Sequence, residues 1–145
     1  MSPTRAARPV SVLTMSPTFS TKQIDFLHGR QFAHVATVNP DGSPQVTALW
    51  VDTDGEALLL NTAKGRVKHR NLMLNPRVAI SIVDAADPYS SLTVTGQAEL
   101  IEEGALEHIR SLRAKYHGDP EFVLAPGEER VIIRVVPERI GGELA

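Results

Sequence analysis

The chain has 145 residues and a formal net charge of −2 at pH 7, which is about the length of one domain. Apolar residues make up 42% and charged residues 22% of the sequence, so the chain is not disordered as a whole. The negative charge argues against a protein that coats nucleic acid or an anionic membrane, and any basic site must be local. No apolar run approaches the roughly 20 residues of a membrane span. The absence of cysteine excludes disulfides and thiolate zinc sites and favours a cytoplasmic protein.

The sequence divides into a tail, residues 1–19, and one domain, residues 20–145. The tail is rich in proline, serine and threonine, and its few apolar side chains cannot repay the entropy of ordering it.

Most of the domain has the pattern of β-strands. Alternating or β-branched runs predict six strands at short spacing, separated by turn signals such as Asn-Pro and Asp-Gly. Two runs with helical spacing predict a short helix that Ser20 or Thr21 caps and Gly29 ends, and a longer helix over 102–117. We therefore expect a mainly β protein, an antiparallel barrel with short flanking helices. The predicted strands cover 32–38, 45–52, 56–61, 77–84, 91–101 and 129–136.

A basic segment, "NTAKGRVKHRNLMLNP", follows the third strand. It carries Lys64, Arg66, Lys68 and Arg70, and no Asp or Glu occurs between Ala57 and Val83. Thr62 is a candidate helix N-cap, and cations four residues apart share a helix face. A helix N-terminus with flanking cations predicts an anion site of the phosphate-binding kind. The alternative is a solvated basic helix face.

Several motifs resemble one family when they are taken in order. They are "ATVNPDGSPQVTALWV", "LLLNTAKGRVKHRNLMLNPRVAISIVD" and "LTVTGQAEL". Together they resemble the pyridoxamine 5′-phosphate oxidase-like split-barrel superfamily, and within it the actinobacterial branch that binds the deazaflavin coenzyme F-420. The resemblance implies a six-stranded split barrel, a homodimer, and two flavin-type sites at the dimer interface.

The resemblance also implies roles for individual residues. Gln45 and Thr47 would line the ring of the cofactor. The residues expected to hold its phosphate and the start of its side chain are Asn61, Thr62, Arg66 and Lys68. Lys64 and Arg70 match the motif less securely. Tyr89 would approach the ring from the partner subunit and is the candidate proton donor.

Two cofactors fit this expectation. Coenzyme F-420 carries a phosphodiester and a tail of glutamates, and four cations within seven residues favour it over FMN, which carries one terminal phosphate. The chemistry would be hydride transfer to an electron-poor, unsaturated small molecule, with the protein orienting the ring. A protein that only stores or senses a flavin remains a further alternative. The sequence predicts no metal site and no nucleic-acid partner.

Trp50, His69 and the tail also have expected positions. Trp50 is either a core residue or a ring-stacking one. His69 is expected to face solvent from its helix. The tail segment "VSVLTM", residues 10–15, is expected to pack on the partner subunit near the mouth of the cofactor site, the alternative being that it has no part in the site.

Overall fold

The computed structural model describes residues 16–144, which form seven strands and three helices. The tail segment 10–15 lies outside these residues. In chain order the elements are α1 (Thr21–His28), β1 (Phe32–Val38), β2 (Pro44–Trp50), β3 (Asp52–Thr53), β4 (Leu58–Ala63), α2 (Val67–Leu74), β5 (Arg77–Val83), β6 (Ser91–Ile101), α3 (Ala105–His117) and β7 (Arg130–Gly141).

All seven strands belong to one antiparallel sheet, in the order β2-β1-β5-β6-β7-β4-β3. The sheet curls until β2, at one edge, approaches β4 near the other edge without forming a ladder with it. The predicted mainly β split barrel is confirmed.

The predicted number of six strands is wrong, because the run 45–52 is broken at Val51. The N–H of Val51 donates to the hydroxyl of Tyr116 at 3.1 Å rather than to a neighbouring strand.

Strand register determines which side chains fill the barrel. Val35 lies opposite Thr47 on β2 and Ile80 on β5, so the three share the inner face. Leu60 lies opposite Ile133 in the same way. The inner face forms one hydrophobic core, whose fully buried members include Leu27, Val35, Leu58, Leu60, Ile82, Leu92, Val94, Ile133 and Val135.

The helix signals at both ends of α1 are confirmed. Ser20 and Gln23 form a reciprocal capping box, and the N–H of Gly29 donates to the carbonyl of Phe26.

In the part of the chain that the structure describes, no helix is long and apolar enough to cross a lipid bilayer.

The last strand runs past Pro137, where the sequence pattern predicted its end. Pro137 lies opposite Gly96 on β6, and the register shifts between Thr95 and Gly96. A proline is tolerated at such a bulge because the ladder is already interrupted there.

The outer faces of the sheet differ in how they are covered. α3 packs on β4 and β7. On β2, β1 and β5, by contrast, Val46, Phe32 and Val83 remain 63%, 51% and 38% exposed. We call this surface the outer apolar face.

Candidate functional site

A tight turn connects β4 to α2 and positions the basic segment. Gly65 has φ +88°, a left-handed conformation that favours glycine. Its N–H donates to Nδ1 of His69 at 3.0 Å, so His69 holds the turn instead of only facing solvent.

The N-cap of α2 is Arg66 and its side chain makes no capping bond. The predicted N-cap at Thr62 is wrong, since Thr62 lies within β4 and pairs with Val131.

The four cations of the segment do not form one row. Nζ of Lys64 lies 2.7 Å from Oε1 of Glu102 and 3.8 Å from Oε1 of Glu129. The segment therefore contains no acidic residue, but in the fold acidic side chains from other parts of the chain lie beside Lys64. Lys64 also precedes α2 and cannot share a helix face with Lys68.

Arg70 lies apart from Lys64, in a surface groove. The groove has a volume of about 440 Å³ and is lined by Asn39, Pro40, Asp41, Val67, Arg70, Asn71 and Leu74.

Lys68 is a buried cation that has no acidic partner among residues 16–144. It is 6% exposed. Burial, followed by repulsion from Arg66 and Arg130, lowers the pKa of its ammonium group. A buried ammonium beside two other cations is costly unless an anion joins it. The arrangement therefore suits an anion that comes from outside the chain.

Arg130 completes this group, which we call the cation cluster: Arg66, Lys68 and Arg130. Arg130 is 8% exposed and begins β7, opposite Ala63 of β4. Its Nη1 donates to Oε2 of Glu128 at 2.7 Å, and Phe122 stacks 5.0 Å from its guanidinium carbon. Sequence reasoning missed Arg130 because it lies more than 50 residues beyond the end of the basic segment, and only the pairing of β7 with β4 brings them together.

Asn61 and Thr62 point to opposite faces of β4, although the sequence reading placed them together. Nδ2 of Asn61 donates to the carbonyl of Ala105 at 3.0 Å and lies 3.0 Å from Nδ1 of His108. Its Oδ1 accepts from Nε of Arg130 at 2.9 Å. The Asn61 amide is thus engaged within the chain and supports Arg130.

Two hydroxyl groups on the inner face lack partners. Oγ1 of Thr62 on β4 and Oγ1 of Thr47 on β2 are buried, with no hydrogen bond to any residue that the structure describes. Buried polar atoms of this kind normally have a partner. Because β2 approaches β4 across the split of the barrel, both hydroxyls belong to strands that border this opening.

Gln45 lies on the same face of β2 as Thr47, within a chain of polar contacts. Oε1 of Gln45 accepts from Oγ1 of Thr37 at 3.1 Å, and Nδ2 of Asn71 donates to that Oγ1 at 3.0 Å. Asn71 also donates to Oδ1 of Asn39 at 2.9 Å. The network joins Gln45 to α2, the helix that carries Lys68.

The two aromatic candidates lie elsewhere. Tyr89, between β5 and β6, is 83% exposed and is not brought to the cation cluster by contacts within one chain. Trp50 stacks on Tyr116, with ring centroids 5.2 Å apart and planes 13° apart, which agrees with the packing interpretation of this residue.

The cation cluster fits an anionic group, and the two hydroxyls fit a ligand that can form hydrogen bonds. The cation cluster would hold the anion, and the hydroxyls of Thr47 and Thr62 would offer hydrogen bonds at the split. The fit rests on Lys68, which has no counter-ion within residues 16–144, and on the two hydroxyls that have no partner there.

Comparison with known proteins identifies a family model and several solved structures that are similar to this chain. The sequence model of the family described as pyridoxamine 5′-phosphate oxidase matches residues 19–142. A solved structure named F420 reductase is 36% identical, with 81% of this chain and 94% of that chain covered and a TM-score of 0.72. A conserved hypothetical protein from Mycobacterium tuberculosis is 28% identical, with 88% of each chain covered and a TM-score of 0.68. A solved structure from Lactobacillus delbrueckii, 18% identical over 86% of this chain and 94% of that chain with a TM-score of 0.61, shares the fold.

Proposed function

Because the chain belongs to the pyridoxamine 5′-phosphate oxidase family, we propose that it is an oxidoreductase that uses reduced coenzyme F-420 to reduce an electron-poor, unsaturated small molecule. The observation that carries the proposal is the buried Lys68, whose ammonium lies beside Arg66 and Arg130 and has no acidic partner in the described part of the chain. The name of the 36% identical structure, F420 reductase, supports the choice of cofactor.

The proposed roles follow from where the side chains lie. Arg66, Lys68 and Arg130 bind the phosphodiester, and Asn61 acts through Arg130 by holding its Nε. Gln45 and the hydroxyls of Thr47 and Thr62 hydrogen-bond the polar edge of the ring. When bound, the reduced cofactor supplies a hydride. The protein contributes orientation and the exclusion of water.

The two outer cations have smaller proposed roles. Lys64 would have to leave Glu102 before it could contact the ligand. Arg70, in the groove of α2, is placed to meet the outer, carboxylate-bearing part of the ligand, although Asp41 lines the same groove.

The complete site is proposed to require a homodimer. Tyr89 is 83% exposed, so its ring is free to reach the site of a partner subunit and donate a proton there. The outer apolar face is the proposed dimer interface, because apolar side chains on a sheet surface are stabilised when a second copy covers them.

FMN is the second candidate cofactor, since the family is that of pyridoxamine 5′-phosphate oxidase. Titration of the purified protein with F-420 and with FMN, followed by ligand fluorescence, separates the two. We expect tighter binding of F-420, and reduction of a substrate by the F-420-loaded protein. Tighter binding of FMN would replace F-420 in the proposal, and binding without turnover of any candidate acceptor would favour a storage or sensing role.

A further inference from the structure

The loop before β7 places the carboxylate of Glu128 beside the cation cluster. Oε2 of Glu128 accepts from Nη1 of Arg130 at 2.7 Å, and this side chain is 15% exposed. Oε1 accepts from the N–H of Ala125 at 2.9 Å, while the N–H of Glu128 donates to the Ala125 carbonyl. The carboxylate is therefore fixed by its own turn and does not sample the solvent freely.

Glu128 is also the acid whose charge is coupled to the cluster. The hydrogen bond from Ala125, then that from Arg130, and more weakly the charge of Arg66 lower the pKa of its carboxyl. It consequently remains ionised near neutral pH. The acids beside Lys64 belong to a different ion pair, at Glu102 and Glu129.

Arg130 cannot turn away from Glu128 to meet a ligand. Its Nε donates to Asn61 and its Nη1 donates to Glu128, while its guanidinium group lies over the ring of Phe122. The N–H groups of Nη2 have no acceptor within residues 16–144, so they remain available. An incoming anion would meet these groups, Lys68 and Arg66 while Glu128 stays in place nearby.

Resting on the proposed function, we propose that Glu128 is a specificity-determining residue that weakens the binding of a doubly charged phosphomonoester more than that of a singly charged phosphodiester. Coulomb energy is proportional to the charge of the ligand, so a fixed carboxylate opposes a dianion twice as strongly as a monoanion. Glu128 thereby shifts the relative affinity of the site toward F-420 and away from FMN, without contacting the ring of either.

The test removes the charge and keeps the shape. In Glu128→Gln the amide oxygen still accepts one hydrogen bond, so we expect the fold to persist, and Glu128→Ser removes the charge by a second route. At pH 8 we expect the affinity for F-420, whose phosphodiester carries one charge, to rise about threefold. The phosphate of FMN carries two charges, so its gain in binding energy is doubled and its affinity should rise about tenfold. The affinity for riboflavin, which has no phosphate, should stay within about twofold.

Acidification provides an internal control, because the second pKa of a phosphomonoester lies near 6. At pH 5 the gain of Glu128→Gln in FMN affinity should fall to about threefold, since the phosphate then carries about one charge. Glu129→Gln removes the same charge one residue away, from a side chain that is 70% exposed. We expect this variant to bind all three ligands as the wild type does.

The outcomes separate this proposal from the proposed function. Equal gains for FMN and riboflavin, or unchanged FMN affinity in both Glu128 variants while Lys68→Ala weakens binding, would overturn the role of Glu128 alone. Unchanged F-420 and FMN affinity in Lys68→Ala would overturn the anion site, and with it both proposals. Failure of the wild-type protein to bind F-420 and FMN would overturn both as well.

Discussion

Nε of Arg130 donates a hydrogen bond to Oδ1 of Asn61 over 2.9 Å, and this contact joins the start of β7 to the outer face of β4. Arg130 lies directly opposite Ala63, so Asn61 is its diagonal neighbour on the same face of the sheet. The position of one cation of the proposed site is therefore set by the register of two strands. Asn61 in turn is fixed by the Ala105 carbonyl on α3.

Replacing Asn61 by alanine should therefore lower both stability and ligand affinity. The change leaves Nε of Arg130 and the Ala105 carbonyl without their partner in a buried place, which costs about 1–3 kcal/mol. Urea unfolding should show this loss in the free energy of unfolding. Asn75→Ala is the matched control, because among residues 16–144 its Oδ1 accepts from one exposed N–H, that of Arg77. A stability equal to that of the wild type would contradict the buried role of Asn61.

Lys68→Ala should separate ligand binding from stability. Loss of a charge-assisted hydrogen bond should weaken binding of F-420 by about 1–3 kcal/mol. The free energy of unfolding should stay the same or rise, since burial and the neighbouring Arg66 and Arg130 already disfavour the Lys68 charge. Fluorescence titration at low salt and urea unfolding measure the two quantities. Lys22→Ala, on the exposed surface of α1, is the control, and an unchanged dissociation constant for Lys68→Ala would reject the assignment.

The sequence could predict those features that local chemistry determines. The capping box of Ser20 and Gln23 is set by neighbouring residues, so it is readable from four letters. The acid-free basic segment could likewise be recognised as a candidate anion site. The sequence could not show which partner each cation of the segment meets in the fold. Lys64 meets Glu102 and Lys68 meets Arg130 only because of the fold.

The errors share one physical cause, which is competition from distant partners. Thr62 has the side chain of an N-cap, but its pairing with Val131 of β7 makes it part of β4. The strand expected over 45–52 breaks at Val51 because the hydroxyl of Tyr116, 65 positions away, takes its N–H. Arg130 and Glu128 carry no local motif at all. Long-range contacts of this kind leave no signal within a short window of sequence.

Tyr116 should make stability depend on alkaline pH. Its hydroxyl donates to the carbonyl of Gln31 and accepts from the N–H of Val51 at 3.1 Å. Burial raises the pKa of Tyr116 to about 12, above the value of about 10 expected in the unfolded chain. A raised pKa in the folded state means that this contribution is fully present below about pH 10 and is lost as pH rises toward 12.

Urea unfolding between pH 8 and pH 11.5 checks this dependence. Tyr116→Phe should cost about 1–2 kcal/mol at pH 8, and it should lose less further stability than the wild type as the pH rises. Lys115, whose pKa is lowered by burial, is present in both proteins, so the difference between them reports the Tyr116 hydroxyl together with its coupling to the Lys115 ammonium. Tyr89→Phe changes the same group at an 83% exposed position and should behave as the wild type. Parallel pH profiles for Tyr116→Phe and wild type would show that the hydroxyl is not the titrating group.

A charge placed on the outer apolar face should dissociate the proposed dimer. Val46 is 63% exposed in the single chain and lies on β2 opposite Ala36, while Phe32 and Val83 form a directly opposed pair on the same face. Val46→Glu would bury two unpaired carboxylates in the interface, one from each subunit. Each costs about 2–3 kcal/mol, so the dissociation constant of the dimer should rise by about 30-fold or more. Sedimentation equilibrium at micromolar concentration measures this dissociation constant.

Val123→Glu, at an 87% exposed position in the loop before β7, introduces the same charge away from this face and should leave the dimer intact. A wild-type protein that is already monomeric at these concentrations would rule out the interface, whereas a dimer that resists Val46→Glu would move it to another surface. Because Tyr89 is proposed to act across the interface, Val46→Glu should also reduce turnover in proportion to the fraction of monomer.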